Sequence, residues 1–227
     1  CDYLGVDDKW RNIARRQIAD IVAPEALFSY IRNHADGGAW GAVEAVFHMG
    51  ANSSTTETDV DLIVSQNFKF SLDLWRLCAE QTVRFIYASS AATYGGGEAG
   101  FSDGLDISRL GQLKPLNPYG WSKHLFDQRV ADLAMDPRTR PPQYVGLKFF
   151  NVYGPNEYHK GLMKSVVAQK YPLAELGKPV TLFKSCRPDC KDGSQRRDFI
   201  YVRDCSDVML WLFDNPKING LFNLGTG

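Results

Sequence analysis

Short apolar runs alternate with longer amphipathic segments along this chain. The apolar runs predict buried strands at residues 43–48, 83–88 and 144–150. The amphipathic segments have apolar residues at helical spacing and predict helices at residues 24–34, 62–80 and 119–135. Strands that are separated by helices predict a parallel sheet with helices on both faces. Ligands of such folds bind beyond the carboxyl ends of the strands, where polar, glycine-bearing loops follow here.

The pattern loosens after about residue 160. It predicts helices at 162–176 and 204–213, and short strands at 180–183, 197–202 and 221–224. We therefore expect a doubly wound α/β domain over residues 1–155. A small, partial substrate-binding region is expected over residues 156–227, interleaved with the end of the main sheet. The first residues resemble the end of a second strand without the glycine-rich turn that precedes it, so we expect truncation at both ends.

Composition narrows the function classes. The 227 residues are 44% hydrophobic and carry no net charge, which is typical of a soluble globular protein and gives no field that favours nucleic acid or membrane. No apolar run approaches the roughly 20 residues that span a bilayer. The odd number of scattered cysteines favours a reducing, cytoplasmic compartment. Cys186, Cys190 and Cys205 match no common zinc spacing, so no metal site is expected.

Tyr119 and Lys123 stand four residues apart in a predicted helix. This spacing puts both side chains on one helix face, within reach of the same substrate atom. A lysine charge at roughly 4 Å, with an effective dielectric constant near 20, favours the phenolate by on the order of 4 kcal/mol. We therefore expect Lys123 to lower the pKa of Tyr119 from about 10, by up to about 3 before desolvation takes some of this back. The spacing alone leaves open an ordinary surface tyrosine and lysine.

Several motifs resemble those of a known family. They are FHMGANSSTTE (47–57), YASSAATYGG (87–96), KPLNPYGWSK (114–123), FFNVYGP (149–155), HKG (159–161) and RDFIYV (197–202). With them the chain resembles the extended short-chain dehydrogenase/reductases, which have a Rossmann-like fold. The SSTTE and HKG motifs narrow the resemblance to the ADP-L-glycero-D-manno-heptose 6-epimerases.

The resemblance implies an isomerase that converts ADP-D-glycero-D-manno-heptose to its L-glycero epimer. The route is transient oxidation at C6 and return of hydride, with NADP kept bound. Tyr119 would be the acid/base, Lys123 would contact the nicotinamide ribose, and Ser90 would hydrogen-bond the reacting oxygen. Lys160 would be a second acid/base on the opposite side of the sugar. From the residues alone, Ser90 is equally well a strand cap and Lys160 a solvated loop lysine.

The resemblance also implies a cofactor site and a substrate site. Its cofactor-binding positions fall at Asp2, Tyr3, Lys9, Met49, Gly50, Ala51, Asn52, Ser53, Asn67, Lys123, Val152 and Lys160. Its substrate-binding positions fall at Ser90, Asn151, Phe183 and Arg197. A guanidinium at Arg197 suits diphosphate oxygens, although an exposed basic strand end explains it as well. Lys9 matches a position associated with the extra phosphate of NADP, which makes NADP the expected cofactor and NAD the alternative.

Other interpretations stay open. A UDP-sugar 4-epimerase shares Ser90, Tyr119 and Lys123 and is the first alternative. A dehydratase is disfavoured, because Ala91 and Ala92 stand where elimination of water needs an acid pair. An inactive cofactor-binding fragment is the third interpretation, since the glycine-rich turn is missing. The expected partners are a nucleotide sugar and further copies of the same chain, not nucleic acid or membrane.

Overall fold

The computed structural model describes residues 1–35, 43–185, 188 and 190–227. Within them, the main sheet has four parallel strands in the order β1-β2-β3-β6, namely β1 Ala45–His48, β2 Arg84–Ser90, β3 Tyr144–Phe149 and β6 Gly220–Leu224. A smaller parallel sheet pairs β4 Asn151–Tyr153 with β5 Phe199–Tyr201. The predicted Rossmann-like α/β fold is confirmed.

The described helices are α1 Leu27–Ala35, α2 Val60–Ile63, α3 Phe70–Glu80, α4 Ile107–Leu110, α5 Pro118–Leu133, α6 Val166–Glu175 and α7 Val202–Asp214. Side-chain caps start four of the described helices, α2, α4, α5 and α6. The Asp59 carboxylate accepts a hydrogen bond of 2.9 Å from the Leu62 amide and caps α2. Asn117 caps α5 in the same way, and Pro118 occupies the first turn, where its missing N–H leaves no bond unmade. Within the described residues, no helix has the length and apolar composition needed to cross a membrane.

Successive residues of β2 point to opposite faces of the main sheet, and helices cover both faces. Phe85 and Tyr87 are buried against α3 and α5, whereas Ile86 packs with α7 on the other face. Gly146 on β3 makes room for the Tyr87 ring, since an added Cβ would lie 2.4 Å from its Cζ atom. This packing fixes the carboxyl end of β2 next to the amino end of α5.

Three segments differ from the sequence predictions. Strand β2 runs on to Ser90, beyond the predicted end at residue 88. The long helix predicted at 62–80 contains a π-helical stretch, Val64–Lys69, between α2 and α3. The strand predicted at 180–183 is wrong: the segment is irregular, and Phe183 is 67% exposed, so its apolar residues are not packed on a sheet.

Two further sequence predictions concern the second half of the chain. The division at residue 155 stays a prediction; β4, before that residue, pairs with β5, after it. Cys186 lies outside the described residues, whereas Cys190 and Cys205 are free thiols.

Candidate active site

Tyr119 and Ser90 meet where the amino end of α5 approaches the carboxyl end of β2. Gly120 makes this approach possible, because an added Cβ would lie only 2.7 Å from the Ala92 carbonyl oxygen. The half-buried Tyr119 phenol lies near enough to the Ser90 hydroxyl for that hydroxyl to lower its pKa, and Ser90 Oγ accepts a bond of 3.1 Å from the Ala92 amide. The structure therefore brings together two of the residues that the sequence predicted to be catalytic.

Lys123 lies one helical turn further along α5, with 3% of its surface exposed. Its Nζ atom donates a hydrogen bond of 2.8 Å to the Ala88 carbonyl oxygen, on the strand that ends in Ser90. Burial lowers the pKa of Lys123 to about 8, against the negative charge of Asp127, which raises it. The ammonium group is thus held by β2, on the same face of α5 as Tyr119, and it keeps most of its charge at neutral pH.

The expected fall in the pKa of Tyr119 is wrong for this arrangement. Burial raises the pKa of Tyr119, the hydrogen bond with Ser90 lowers it, and the negative charge of Asp127 raises it further. The sequence argument took account of the lysine charge, but burial of the phenol dominates. Tyr119 therefore holds its proton at neutral pH and becomes a base only when further positive charge is placed beside it.

Asn67 joins the loop after β1 to helix α5, which carries Tyr119 and Lys123. Its side chain is 1% exposed; Oδ1 accepts from the Asn52 amide at 2.8 Å and Nδ2 donates to the Asn52 carbonyl at 2.9 Å. Nδ2 also donates to Ser122 Oγ at 3.0 Å, and Ser122 in turn donates to the Tyr119 carbonyl at 2.8 Å. Asn67 lies in the π-helical stretch, a distortion that is frequent at functional sites. Here it shapes the predicted cofactor loop, and direct contact with a cofactor stays a prediction.

The rest of that loop, Met49 to Ser53, is open on one side. Met49 packs on the core cluster of α7, whereas Gly50 and Ser53 are exposed and Ala51 is half-buried. An added Cβ at Gly50 would meet no heavy atom of the described residues within 4 Å. The protein's own packing therefore does not explain this glycine, and the space in front of it fits a ligand that lies against the backbone.

Asp2, Tyr3 and Lys9 are brought together near the start of the chain. Lys9 Nζ lies 2.7 Å from the Asp2 carboxylate and donates to the Tyr3 carbonyl at 2.7 Å. The Tyr3 hydroxyl donates to Glu25, and that bond raises the pKa of the exposed phenol. The carboxylate predicted to contact a ribose and the ammonium predicted to contact a phosphate thus stand side by side, as an ion pair that is about half-exposed.

Lys160 lies on a 3-10 segment, Tyr158–Met163, and its side chain is exposed. Glu157 holds the start of this segment: its carboxylate accepts from the Ser165 amide at 2.6 Å and from the Gly154 amide at 3.2 Å. The Tyr158 hydroxyl donates to Asn12, the last residue of the 3-10 segment Asp8–Asn12 that also carries Lys9. The Lys160 loop is therefore tied to the part of the chain that carries the predicted ribose contacts.

The four predicted substrate or nicotinamide contacts outside α5 have different surroundings. Asn151 and Val152 lie on β4, where Asn151 Nδ2 donates to the Asp198 carbonyl at 2.9 Å. Arg197 is exposed, and its guanidinium donates to the Arg196 carbonyl at 2.8 Å. Phe183 lies in the irregular segment described above, so its role in substrate binding has no secondary-structure support. The roles of all four residues stay predictions.

Asp127 and Lys148 were missed by the sequence interpretation, although they form a buried ion pair of 3.0 Å under the site. The helical spacing from Tyr119 through Lys123 to Asp127 is a signal that would have found the carboxylate. Nothing local marks Lys148, because it lies on a separate strand and reads as one polar residue in an apolar run.

Comparisons with known proteins identify the family to which the chain belongs. Residues 18–225 match the model of the NAD dependent epimerase/dehydratase family. An ADP-L-glycero-D-manno-heptose-6-epimerase of Nitratidesulfovibrio vulgaris is 49% identical over 100% of this chain and 67% of its own length. One from Fusobacterium nucleatum is 46% identical over 100% of this chain and 66% of its own.

A solved structure is also similar to this chain. The Helicobacter pylori ADP-L-glycero-D-manno-heptose-6-epimerase has a TM-score of 0.63 and 32% identity, over 80% of this chain and 53% of its own. The chain thus spans about two thirds of the length of the curated relatives that it matches. It belongs to the NAD dependent epimerase/dehydratase family, whose members use a nicotinamide cofactor, and within it this chain is similar to the heptose epimerases.

Proposed function

We propose that the protein epimerises a nucleotide-activated sugar, converting ADP-D-glycero-D-manno-heptose to ADP-L-glycero-D-manno-heptose at C6. The observation that carries the proposal is the Tyr119 phenol against the Ser90 hydroxyl, with the Lys123 ammonium buried on the same helix face. Similarity to curated heptose epimerases along the whole chain supports the choice of sugar. A UDP-sugar 4-epimerase would use the same three residues and is the alternative that the experiment separates.

The residues present fit a nicotinamide dinucleotide. Gly50 leaves open space in front of the β1 loop, and the family resemblance assigns the ribose contact to Lys123, which lies buried on α5. When bound, an oxidised nicotinamide supplies the hydride acceptor and a positive charge. Such a charge near Tyr119 favours the phenolate, which opposes the effect of burial on the pKa of this residue.

The chain's own residues handle the proton and the orientation of the sugar. Tyr119 takes the proton of the C6 hydroxyl as hydride leaves C6, while Ser90 hydrogen-bonds the same oxygen. A planar carbonyl results, and hydride returned to its opposite face gives the epimer. Lys160 then donates the proton to the oxygen from the second side. Because Lys160 is exposed, water restores its proton after each turnover, and Tyr119 releases to water the proton that it took, so both groups return to their starting states.

The test is incubation of the purified protein with ADP-D-glycero-D-manno-heptose in deuterated water, followed by NMR at C6. Inversion without deuterium at C6 is expected, since the hydride comes from the same carbon. Deuterium at C6 would refute the oxidation route. Tyr119→Phe should lower the rate by about 10²-fold or more and keep dinucleotide binding. Conversion of UDP-galactose in place of the heptose would favour the alternative.

We further propose NADP as the cofactor, because Lys9 offers an ammonium beside Asp2 where a 2′-phosphate would attach to the ribose. Lys9→Met should weaken NADP binding by about tenfold and leave NAD binding unchanged. Arg11→Met, which breaks the nearby ion pair with Asp8, is the matched control and should change neither affinity. Equal losses for both dinucleotides in Lys9→Met would contradict the assignment.

Self-association and a cytoplasmic location complete the proposal. Light scattering of the purified protein tests the first, and cell fractionation with an antibody against the chain tests the second. A monomer at micromolar concentration, or recovery outside the cytoplasm, would refute the respective point.

A further inference from the structure

A buried ion pair lies beneath the candidate site and takes no part in the chemistry described so far. Lys148 Nζ of β3 lies 3.0 Å from Asp127 Oδ2 of α5, and the two side chains are 1% and 0% exposed. Desolvation of two charges costs several kcal/mol per ion, so buried pairs are often replaceable by apolar residues without loss of stability. Stability is therefore a weak reason for this pair, and its surroundings suggest another.

The Asp127 carboxylate is bonded to the strand that ends in the catalytic serine. Oδ2 accepts from Ser89 Oγ at 2.6 Å, and Oδ1 accepts from the Tyr87 hydroxyl at 3.1 Å. With Lys148, these bonds satisfy both carboxylate oxygens from two strands of the sheet. Asp127 is thereby held in one place relative to β2.

Lys148 extends the same network to the turn after Ser90. Its Nζ atom donates to Thr93 Oγ1 at 2.6 Å, and Thr93 in turn donates to the Ser90 carbonyl at 2.8 Å. The ammonium also lies 4.7 Å from the centre of the Tyr94 ring. These contacts of Lys148 therefore all involve the segment from Ser90 to Tyr94.

On its other side, Asp127 faces the catalytic helix residues. It lies four residues after Lys123 and eight after Tyr119, so the three side chains share one face of α5. Lys123 and Asp127 are both buried, so water screens their attraction little.

We propose that Asp127, fixed by Lys148, is a positioning residue of the reaction: its carboxylate keeps the buried Lys123 ammonium charged. The inference rests on the proposed function for its role in catalysis, but the charge relation itself is a property of the fold. Lys148 serves this arrangement by holding the carboxylate in place.

Among the residues that the structure describes, the other ionisable groups around Lys123 do not supply a competing negative charge. Burial lowers the pKa of His48, on β1, to about 3, with a contribution from the Lys123 charge. Burial raises the pKa of Tyr87, on β2, well above 10. On α5, burial also raises the pKa of Tyr119 and lowers that of His124. These groups are neutral near pH 7, and the Lys148 charge is paired with Asp127.

Burial and the Asp127 carboxylate change the pKa of Lys123 in opposite directions. Burial lowers the pKa of Lys123 to about 8, so its charge is lost as pH rises through that value. Asp127 raises the pKa of Lys123, so removal of the carboxylate must bring this loss to lower pH.

The test follows the Lys123 titration by NMR in protein labelled with ¹³C at the lysine Cε, assigned with Lys123→Met. We expect the midpoint to fall by about one pH unit or more in Asp127→Asn and in the double variant Asp127→Leu/Lys148→Met. It should fall less in Lys148→Met, which removes one of the groups that hold the carboxylate but keeps the carboxylate and its bonds from Ser89 and Tyr87. Asp132→Asn removes an exposed carboxylate from the same helix and should leave the midpoint unchanged.

The double variant guards against misfolding, because it replaces both charges by apolar side chains of similar volume. An unchanged midpoint in a folded double variant would overturn the proposal. Failure of the double variant to fold would also overturn it, because the pair would then be a requirement of the fold. As a second readout, the alkaline limb of the pH–rate profile should shift with the midpoint. Absence of any epimerisation refutes the proposed function only, since the NMR titration is independent of activity.

Discussion

Replacement of Asn67 by alanine tests whether one buried amide joins the cofactor loop to the catalytic helix. The change removes three hydrogen bonds, of 2.8, 2.9 and 3.0 Å, to Asn52 and Ser122. At about 1 kcal/mol each, their loss lowers the free energy of unfolding by about 3 kcal/mol. The better helix propensity of alanine returns about 0.5 kcal/mol, which leaves a net loss of about 2.5 kcal/mol.

For a chain of this size, that loss corresponds to a fall in Tm of about 5–10 °C. Calorimetry of the purified variant measures it, and cofactor titration should show weaker binding because Asn52 loses its anchors. Asn33→Ala is the matched control: Asn33 is exposed on α1, so its Tm should stay or rise slightly. A Tm for Asn67→Ala within about 2 °C of the parent protein, with unchanged cofactor affinity, would refute the reasoning.

Four more substitutions test other parts of the site. Lys160→Met should abolish epimerisation in the NMR assay at C6 while the cofactor stays bound; an unaffected rate would make Lys160 a loop lysine. Gly50→Ala should weaken cofactor binding without lowering the Tm, whereas Gly120→Ala, whose Cβ would lie 2.7 Å from the Ala92 oxygen, should lower both the Tm and the rate. Equal behaviour of the two alanine variants would contradict the assignment of open and filled space. Glu157→Gln should lower the Tm at pH 7. Burial raises the pKa of Glu157, but the hydrogen bonds from Ser165 and Gly154 outweigh it and bring the pKa below the usual 4.5. That stability is present above about pH 4.5 and is lost as pH falls through the lower folded pKa, so the Tm difference should shrink in acid; a constant difference would refute this origin.

The periodicity of the sequence determined most of the fold. Strands appear in the sequence as apolar runs and helices as amphipathic segments, because each of these elements buries a defined face. The residues that form such a face are near one another in the sequence. The segment at 180–183 was predicted wrongly for the same reason. A short apolar run indicates a strand only if a neighbouring strand is there to pair with it, and no local signal reports that partner.

The spacing of Tyr119 and Lys123 was sufficient to place both on one helix face. It did not determine their protonation. Burial of the phenol, its bond to Ser90 and the charge of Asp127 decide the pKa of Tyr119, and two of these depend on how α5 meets β2. Desolvation is a property of the folded surroundings, so a charge argument based on spacing alone gave the wrong direction.

The same division holds for the contacts between distant parts of the chain. The sequence marked Asn67, Lys9 and Asp2 as candidates through a family resemblance. Only the tertiary structure shows that Asn67 bonds Ser122, 55 residues away, and that Lys148 lies against Asp127. Residue types and local spacing specify which helices and strands form and which functional side chains they carry. Which groups lose water and which charges meet is decided by packing, because both depend on atoms that are remote in sequence.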